Sequence, residues 1–179
     1  MKVGRQKEKG NRHQRSICEI FDKVYYLEGD GLFKSTPGSG GWDKQIAPGD
    51  VQPFFYKGKR LILDHSFPFS IECKNWRDQN VKHVFSGLYS KPSQIFDWME
   101  QSTNDSSFSG KTPIVIFKLY RSQNVVLMSL ADWNKLQQIF GVFPSKIYKI
   151  SGGPMHVIFI LLKDFTNWID WGYYKKLKL

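Results

Sequence analysis

Glu72 and Lys74 are separated by a single residue in the segment FPFSIECKNW, residues 67–76. Because alternate side chains of a strand point to opposite faces, this pair would share one face, while Phe69 and Ile71 share the other. On its own, the pair fits a surface ion pair on an amphipathic strand. It indicates chemistry only if a third charged group joins it.

Asp50 is the candidate for that third group, because it stands at the start of the strand that precedes the Glu72–Lys74 strand. If the two strands pair as neighbours, Asp50 and Glu72 meet at one end of a sheet. Two carboxylates there are oxygen ligands of the kind that Mg²⁺ prefers. Lys74 could orient a water molecule or balance phosphate charge. These parts are what metal-assisted attack of water on a phosphodiester requires.

The chain has 179 residues and a formal charge of +10, from 26 basic and 16 acidic side chains. This length suits one domain, and 41% hydrophobic residues with 16% aromatic residues are typical of a folded protein. The basic excess favours a polyanionic partner, most often nucleic acid. A membrane surface is the competing polyanion, but no amphipathic basic helix stands out, so no membrane partner is predicted.

The cysteines and histidines do not indicate a metal or disulfide framework. Cys18 and Cys73 lack CxxC spacing and the four histidines are scattered, which disfavours a structural zinc site. Neither a signal peptide nor an apolar run of membrane-spanning length is visible. We therefore expect an intracellular, cytoplasmic protein.

The first fifteen residues hold six basic side chains against one acid, Glu8. The six are Lys2, Arg5, Lys7, Lys9, Arg12 and Arg15. Residues 1–10 are predicted to form a flexible basic arm, followed by a helix from about Asn11 to Tyr26 with Asn11 as its N-cap. The basic segment fits two alternatives, a solvated frayed terminus or an arm that contacts phosphates.

The remaining chain alternates between strands and helices. Strands are predicted at residues 33–36, 49–55, 67–74 and 155–165, and helices at residues 93–101 and 131–139. A polar loop beginning at Ser102 follows the first of these helices, and a β-hairpin turns at residues 121–123. This order predicts a single α/β domain over residues 1–179, with a mixed central sheet flanked by helices and residues 140–179 as a C-terminal extension packed on the core.

The Asp50, Glu72 and Lys74 pattern, GD and ECK with 21 residues between the two acids, resembles the PD-(D/E)xK nuclease motif, with Gly49 in place of the nominal proline. The surrounding segments resemble, in the same order, the archaeal-type Holliday junction resolvases and their phage-encoded relatives. These segments are RQKEKGNRHQR (5–15), TPGSGG (36–41), APGDV (47–51), FSIECKNW (69–76) and TPIVIFKLYRSQNVVLMSL (112–130). The likeness covers most of residues 5–132, and residues 140–179 show none.

The resemblance implies a restriction-endonuclease-like fold, with Asp50 and Glu72 as metal ligands and Lys74 as the catalytic lysine. It also implies that Ser39, in the loop before Asp50, assists catalysis. A basic terminus that contacts the junction backbone is implied as well. The DNA-binding residues predicted there are Arg5, Lys7, Lys9, Arg12 and Arg15.

The chain departs from the resolvases in its first helix, where Gln14 replaces their usual glutamate. Gln14 shares an inward helical stripe with Ile17 and Phe21, so we expect it at the edge of the site, where its amide oxygen could ligate a metal or hold a water. Glu19 does not replace the missing acid, because five residues at about 100° each turn its side chain roughly 140° away from Gln14. Glu19 is therefore expected on the surface, and the number of metal ions stays open.

The preferred function is a Mg²⁺-dependent endonuclease, with Mn²⁺ as a substitute, that hydrolyses phosphodiesters in branched double-stranded DNA. The resemblance favours a phage-encoded Holliday junction resolvase that acts in DNA recombination and repair as a homodimer. Three alternatives stay open. They are another PD-(D/E)xK nuclease of the repair or restriction type, a catalytically silent DNA-binding protein, which Gln14 makes credible, and an RNA-binding protein.

Overall fold

The computed structural model describes residues 3–26, 29–36, 49–75, 94–118, 123–152 and 155–177. The helices in these ranges are α1 (Val3–Tyr25), α2 (Gln94–Ser106), α3 (Leu130–Phe140), α4 (Leu162–Trp168) and α5 (Trp171–Leu177). The strands are β1 (Gly31–Ser35), β2 (Val51–Lys57), β3 (Arg60–Leu63), β4 (Phe69–Asn75), β5 (Thr112–Lys118), β6 (Asn124–Ser129), β7 (Tyr148–Gly152) and β8 (Met155–Leu161). None of the described helices combines the length and apolarity needed to cross a bilayer.

The strands form one mixed sheet in the order β1-β2-β4-β5-β6-β8-β7, and β3 pairs with β2 outside this path. β4 and β5 are parallel and in register from Phe69↔Thr112 to Asn75↔Lys118. The other strand pairs of the described chain are antiparallel. The predicted α/β class with a mixed central sheet and flanking helices is therefore confirmed.

Helix α1 begins at Val3, well before the predicted start at Asn11. The N-cap prediction at Asn11 is therefore wrong, and the predicted arm has a helical backbone from residue 3 to residue 10. This segment is rich in Arg, Gln, Lys and Glu, which are good helix formers. The side chains of Glu8 and Arg12 also form an i,i+4 ion pair with an N–O distance of 3.7 Å, which supports the helix at this end.

The apolar stripe of α1 faces the sheet as its helical spacing predicts. Ile17 and Phe21 are fully buried, while Lys23 on the outer side is exposed. The ring of Phe21 lies edge-on to that of Phe67, just before β4, with 5.7 Å between the ring centroids. This contact holds α1 against the sheet. Gln14 lies seven residues before Phe21, which is about 10 Å along the helix axis.

The sheet carries an apolar layer on each face. On one face, Ile71 of β4 packs in a cluster with side chains from α1, α3, α4 and α5. On the other face, Val115 and Phe117 of β5 pack in a second cluster with side chains from α2. Glu72 and Lys74 lie on this second face, because they are the register partners of Val115 and Phe117. β4 itself therefore shows the predicted alternation: its buried side chains on the first face are apolar, and Glu72 and Lys74 are polar side chains on the second face.

Helix α2 continues to Ser106, so the prediction of a polar loop from Ser102 is wrong for residues 102–106, and non-helical turns follow only from Ser107. Ser102 is buried, and the Thr103 hydroxyl donates a hydrogen bond of 2.8 Å to the Met99 carbonyl. Short polar side chains of this kind are compatible with a helix when they bond to the preceding turn. The additional turn carries Asp105, one turn after Gln101, close enough for its charge to act on Asp50 and Glu72.

The predicted C-terminal extension contributes to both the sheet and the core. β8 pairs with β6 on one side and with β7 on the other. The strand predicted at 155–165 is too long, because β8 ends at Leu161 and α4 begins at Leu162. Leu162 and Phe165 are both buried and three residues apart, which is helical rather than strand spacing.

A buried carboxylate, Asp64, ties the end of α1 to the connection before β4. Its Oδ2 atom accepts hydrogen bonds from the hydroxyls of Tyr26 at 2.7 Å and Tyr25 at 3.3 Å. Its Oδ1 atom accepts one from the Ser66 backbone N–H at 2.9 Å. Burial raises the pKa of Asp64, but the hydrogen bonds outweigh burial and hold its pKa below the usual value. The ionised carboxylate therefore stabilises the fold.

We expect Tyr26→Phe to lower the free energy of unfolding by about 1.5 kcal/mol at neutral pH, because it removes a hydrogen bond to a buried charged group. A carboxyl with a lowered pKa stabilises the fold above its unfolded pKa, and that contribution is lost as the pH falls through its folded pKa. The cost of the substitution should therefore shrink below about pH 4. Urea unfolding at several pH values measures it, with Tyr173→Phe on an exposed ring as the control. A cost independent of pH would contradict the role of Asp64.

Candidate active site

Strands β2 and β4 meet at the point where the sequence motif begins. Val51 of β2 is the antiparallel register partner of Ile71 of β4. Continuing this register by one residue sets Asp50 opposite Glu72. The Asp50 N–H also donates to the Ile71 carbonyl at 2.7 Å. The two strands therefore bring both acids to the same end of the sheet.

Gly49 allows Asp50 to approach β4 closely. Gly49 has a φ of 94°, in the left-handed region. A Cβ atom built at this position would lie 2.6 Å from the carbonyl oxygen of Ile71, which is a severe clash. Proline is locked near a φ of about −65°. The nominal proline of the motif is therefore incompatible with this backbone, and glycine is the residue that fits.

The carboxylate of Asp50 is held by two hydrogen bonds. Its Oδ2 atom accepts one from the Cys73 backbone N–H at 2.9 Å, and the side chain of Gln14 provides another. Burial raises the pKa of Asp50, and the two hydrogen bonds and the charge of Lys74 offset only part of that increase. A bound cation would relieve the cost of ionising this carboxyl group.

Glu72 and Lys74 form a sheltered ion pair. Lys74 Nζ lies 2.7 Å from Glu72 Oε1, and the two side chains are 21% and 12% exposed, respectively. Burial raises the pKa of Glu72 and the negative charge of Asp50 raises it further, while Lys74 lowers it. The pair is therefore not an open surface ion pair, and strongly interacting charges of this kind are typical of functional sites.

The first helix contributes an amide to this site rather than a carboxylate. Gln14 is half-buried, and its side chain contacts Asp50. Glu19 is exposed on the outer surface of α1. The site therefore has two acids from the strands, with Gln14 at the position where the resolvases carry a third.

Helix α2 supplies two further polar groups that the sequence motif does not contain. Gln101 Oε1 accepts a hydrogen bond from Lys74 Nζ at 2.9 Å, and Gln101 Nε2 lies 3.5 Å from Glu72 Oε1. One helical turn later, the negative charge of Asp105 raises the pKa of both Asp50 and Glu72. The only sequence signal for these residues is their i,i+4 spacing, which places them on one face of a helix.

The basic residues predicted to bind DNA lie on or near α1. Arg12 and Arg15 are exposed on this helix. Arg15 Nε donates to the Asn11 carbonyl at 3.3 Å, and Arg12 pairs with Glu8. The backbone at Arg5, Lys7 and Lys9 is helical. The side chains of those three residues, and the whole of Ser39, lie outside the described part of the chain.

The donor set of the site suits a hard divalent cation. Asp50 and Glu72 provide carboxylate oxygens, and the side chain of Gln14 contacts Asp50. Within the described ranges, no group of three or more His, Cys, Asp or Glu side chains is arranged to hold a metal ion. Mg²⁺ is commonly held by one or two carboxylates and completes its shell with water and substrate phosphates. Two acids are therefore a sufficient protein contribution.

The fold and the site together define a class of protein. A mixed α/β sheet in which one strand is preceded by an aspartate and its neighbour carries a Glu-x-Lys pair is the arrangement expected of a restriction-endonuclease-like nuclease. The family model described as "Phage putative PDDEXK endonuclease" matches residues 5–174. The chain therefore belongs to this phage family of PD-(D/E)xK endonucleases, a class of enzymes that use divalent metal ions.

The family match also changes the interpretation of the C-terminal segment. It extends to residue 174 and so includes most of residues 140–179, which show no likeness to the junction resolvases. The comparison with curated proteins finds no significant match, and the comparison with solved structures finds none either. The family match supports a nuclease, and the preferred DNA structure is a separate question.

Proposed function

We propose that the protein is a Mg²⁺-dependent, structure-selective DNA endonuclease that hydrolyses phosphodiesters in branched DNA, with the four-way junction as its preferred substrate. The observation that carries this proposal is the convergence of Asp50, Glu72 and Lys74 at one end of the sheet, with the Glu72–Lys74 pair at 2.7 Å. The nuclease family match supports the chemistry. The order of the resolvase-like segments along the chain supports the junction as substrate.

Asp50 and Glu72 would hold the divalent cation, and Mn²⁺ would substitute for Mg²⁺. When bound, the cation supplies positive charge that polarises a phosphoryl oxygen and a water molecule. The hydrogen bonds to Asp50 from the Cys73 N–H and from Gln14 fix the position of its carboxylate. Preorganised ligands of this kind reduce the rearrangement needed when the substrate arrives.

The ammonium group of Lys74 would face the reacting phosphate. It would orient the attacking water and balance the negative charge that develops on the phosphoryl oxygens. In the reaction, the water oxygen bonds to phosphorus and the bond to the deoxyribose oxygen of the leaving strand breaks. The proton lost by the water passes to solvent, and the leaving oxygen takes up a proton from solvent to become a hydroxyl. The hydrogen bonds from Lys74 to Glu72 and Gln101 keep its ammonium group beside the two acids.

The surface charge favours a DNA substrate. The formal charge is +10, and Arg12 and Arg15 are exposed on the helix that also carries Gln14. Arg5, Lys7 and Lys9 belong to the same helical segment and are proposed to contact the junction backbone. Neutralising phosphates releases counterions, so this binding weakens steeply as salt increases.

Cleavage of a junction requires two active sites. A homodimer with two-fold symmetry would place two equal sites on a substrate that is itself two-fold symmetric, so that opposed strands are both cut. This assembly, the proposed assistance of Ser39 in catalysis and a role in recombination and repair follow from the resemblance to the resolvases. An intracellular location, in the host cell of a phage, belongs to the same proposal.

A cleavage assay with synthetic four-way junction, flap and linear duplex DNA tests the proposal. We expect Mg²⁺ to support cutting of the junction in preference to the other two DNAs. Equal cutting of linear duplex would indicate a repair or restriction type of nuclease instead. Junctions that are bound but left intact with both Mg²⁺ and Mn²⁺ would indicate a catalytically silent DNA-binding protein, and stronger competition by single-stranded RNA would indicate an RNA-binding protein.

We expect Gln14→Glu to lower the Mg²⁺ concentration needed for half-maximal cleavage by about tenfold, because it adds a carboxylate beside Asp50. A titration of cleavage rate against Mg²⁺ measures this change. Gln138→Glu, on an exposed position of α3, adds the same charge far from the site and is the control. An unchanged Mg²⁺ requirement in Gln14→Glu would show that Gln14 does not act at the metal site.

A further inference from the structure

Strands β2 and β3 extend the sheet as a hairpin on the side of the active site. β2 pairs with β1 from Val51 to Phe55, and within the described strands its other edge pairs with β4 only at Val51. From Phe54 onward, that edge pairs with β3, from Phe54↔Leu63 to Lys57↔Arg60. The hairpin turns through Gly58, whose φ is 62°. We call residues 54–63 the basic hairpin.

One face of this hairpin is continuous with the face that carries the candidate active site. Val51 and Ile71 are register partners in the apolar layer, so Gln52 shares the opposite face with Glu72. Tyr56 lies four residues after Gln52 and therefore points to the same face. Lys34 of β1 is the register partner of Gln52 and joins it there. A row of polar and aromatic side chains on this face thus extends from the candidate active site toward the hairpin turn.

The charge on these strands has one sign. Residues 31–36 and 51–63 contain no acidic side chain. Their basic residues, all of them exposed, are Lys34, Lys57, Lys59 and Arg60. The flanking acids are the exposed Asp30, the buried Asp64 and Asp50 of the candidate active site. The carboxylate of Asp64 is already occupied by hydrogen bonds. The hairpin therefore presents a local positive surface.

The hairpin also exposes apolar side chains beside these charges. Phe55 and its register partner Ile62 are both exposed and share a face with Lys57 and Arg60, while Tyr56, on the other face, is 46% exposed. The Lys34 ammonium lies 5.7 Å from the centre of the Phe54 ring, so the base of the hairpin combines a cation with an aromatic ring. Positive charge interleaved with aromatic rings suits a nucleic-acid surface better than a purely apolar partner.

We propose that the basic hairpin contacts the phosphate backbone of a duplex arm of the DNA, away from the phosphodiester that is cut. This inference rests on the proposed function, because it takes DNA as the substrate. From Val51 to Lys57, β2 spans roughly 20 Å at about 3.3 Å per residue. One DNA strand carries a phosphate about every 3.4 Å. The hairpin tip therefore reaches the backbone about six nucleotides from the cleavage site.

The test neutralises the hairpin tip and measures DNA binding at several salt concentrations in the presence of a chelator, so that the DNA stays intact. The triple variant is Lys57→Gln, Lys59→Gln and Arg60→Gln. We expect its dissociation constant for a four-way junction to rise by about tenfold or more, and the slope of log affinity against log salt to fall by about two to three. The single-turnover cleavage rate at saturating enzyme should stay within about twofold of the wild-type rate.

A matched control removes the same charge elsewhere. Lys146, Lys149 and Lys163 are exposed and lie outside the hairpin. Changing these three to glutamine should alter the salt slope by less than half of the hairpin effect. Equal effects of the two triple variants would overturn the proposal, because they would show only a response to net charge.

The position of the contact is tested with modified DNA. Blocks of uncharged methylphosphonate linkages, placed about six nucleotides from the cleavage site, should weaken binding by the wild type and have little further effect on the hairpin variant. Blocks adjacent to the cleavage site should weaken binding by both proteins. Additive losses at the distal block would contradict a contact between the hairpin and those phosphates.

The two proposals fail in different ways. If the wild type cuts the junction but the hairpin variant binds it with unchanged affinity and salt slope, the hairpin inference fails and the nuclease stands. If the wild type binds junctions without cutting them, yet the hairpin variant loses affinity as described, the proposed activity fails and the DNA contact stands.

Discussion

Glu72→Gln and Lys74→Ala are each expected to reduce junction cleavage by at least about 10³-fold while junction binding survives. Glutamine matches the shape of glutamate but removes the charge that would hold a divalent cation and pair with Lys74 at 2.7 Å. Alanine removes the ammonium group that we propose faces the transition-state charge. Single groups that stabilise developing charge typically contribute about 10²–10³-fold, and loss of the metal adds to this.

Separate measurements of binding and cutting distinguish catalysis from structure. Single-turnover rates at saturating enzyme report the chemical step, and fluorescence anisotropy in a chelator reports affinity. Glu19→Gln and Lys23→Ala, both on the exposed side of α1, make the same chemical changes away from the site and serve as controls. Equal losses of binding and cutting in the site variants would indicate misfolding or a purely electrostatic role and would contradict the catalytic assignment.

Gln101→Ala is expected to lower the single-turnover cleavage rate by about 10²-fold, which corresponds to about 2.7 kcal/mol. Gln101 accepts a hydrogen bond from Lys74 Nζ at 2.9 Å, and its amide nitrogen lies 3.5 Å from Glu72 Oε1. Because it contacts Lys74, we expect Gln101 to act as a positioning residue. Without it, the flexible lysine side chain gains freedom and points less often at the reacting phosphate.

A structural role of Gln101 would give a different result. If it positions Lys74, the dissociation constant for DNA and the unfolding midpoint should stay unchanged while the rate falls. Gln94→Ala is the matched control, because Gln94 is exposed on the same helix, about two turns from Gln101. Gln101→Glu keeps an acceptor for Lys74 and should recover part of the rate. A rate equal to the wild type in Gln101→Ala would rule out the positioning role.

The sequence predicted the strands of the site because their constraints are local. The alternation around Glu72 and Lys74 requires one apolar and one polar face, and the structure places Ile71 and Glu72 on opposite faces accordingly. The helical spacing of Ile17 and Phe21 identified the buried side of α1. It also placed Gln14 toward the site and Glu19 away from it, as the structure does.

The contribution of α2 could not be predicted because it depends on a crossover between distant elements. Gln101 lies 27 residues after Lys74, with which it shares a hydrogen bond, and the polar residues that follow it are typical of a loop. Those residues stay helical because Ser102 is buried and Thr103 bonds to the preceding turn. Nothing in the local pattern of residues 102–106 requires this packing.

The balance of charge in the site differs from what the motif alone would indicate. Gln14 removes a carboxylate from the α1 side, while Asp105 on α2 raises the pKa of Asp50 and Glu72 from the other side. A residue outside the motif therefore adds to the negative potential at Asp50 and Glu72, where we propose that the cation binds.

The most direct test of the central claim is a crystal structure of the protein with Mn²⁺, analysed by anomalous scattering. We predict an anomalous peak within coordination distance of carboxylate oxygens from both Asp50 and Glu72, beside the ammonium group of Lys74. Mn²⁺ bound elsewhere, or a map without a peak between the two acids at saturating metal, would contradict the assignment of this site as the metal centre of the nuclease.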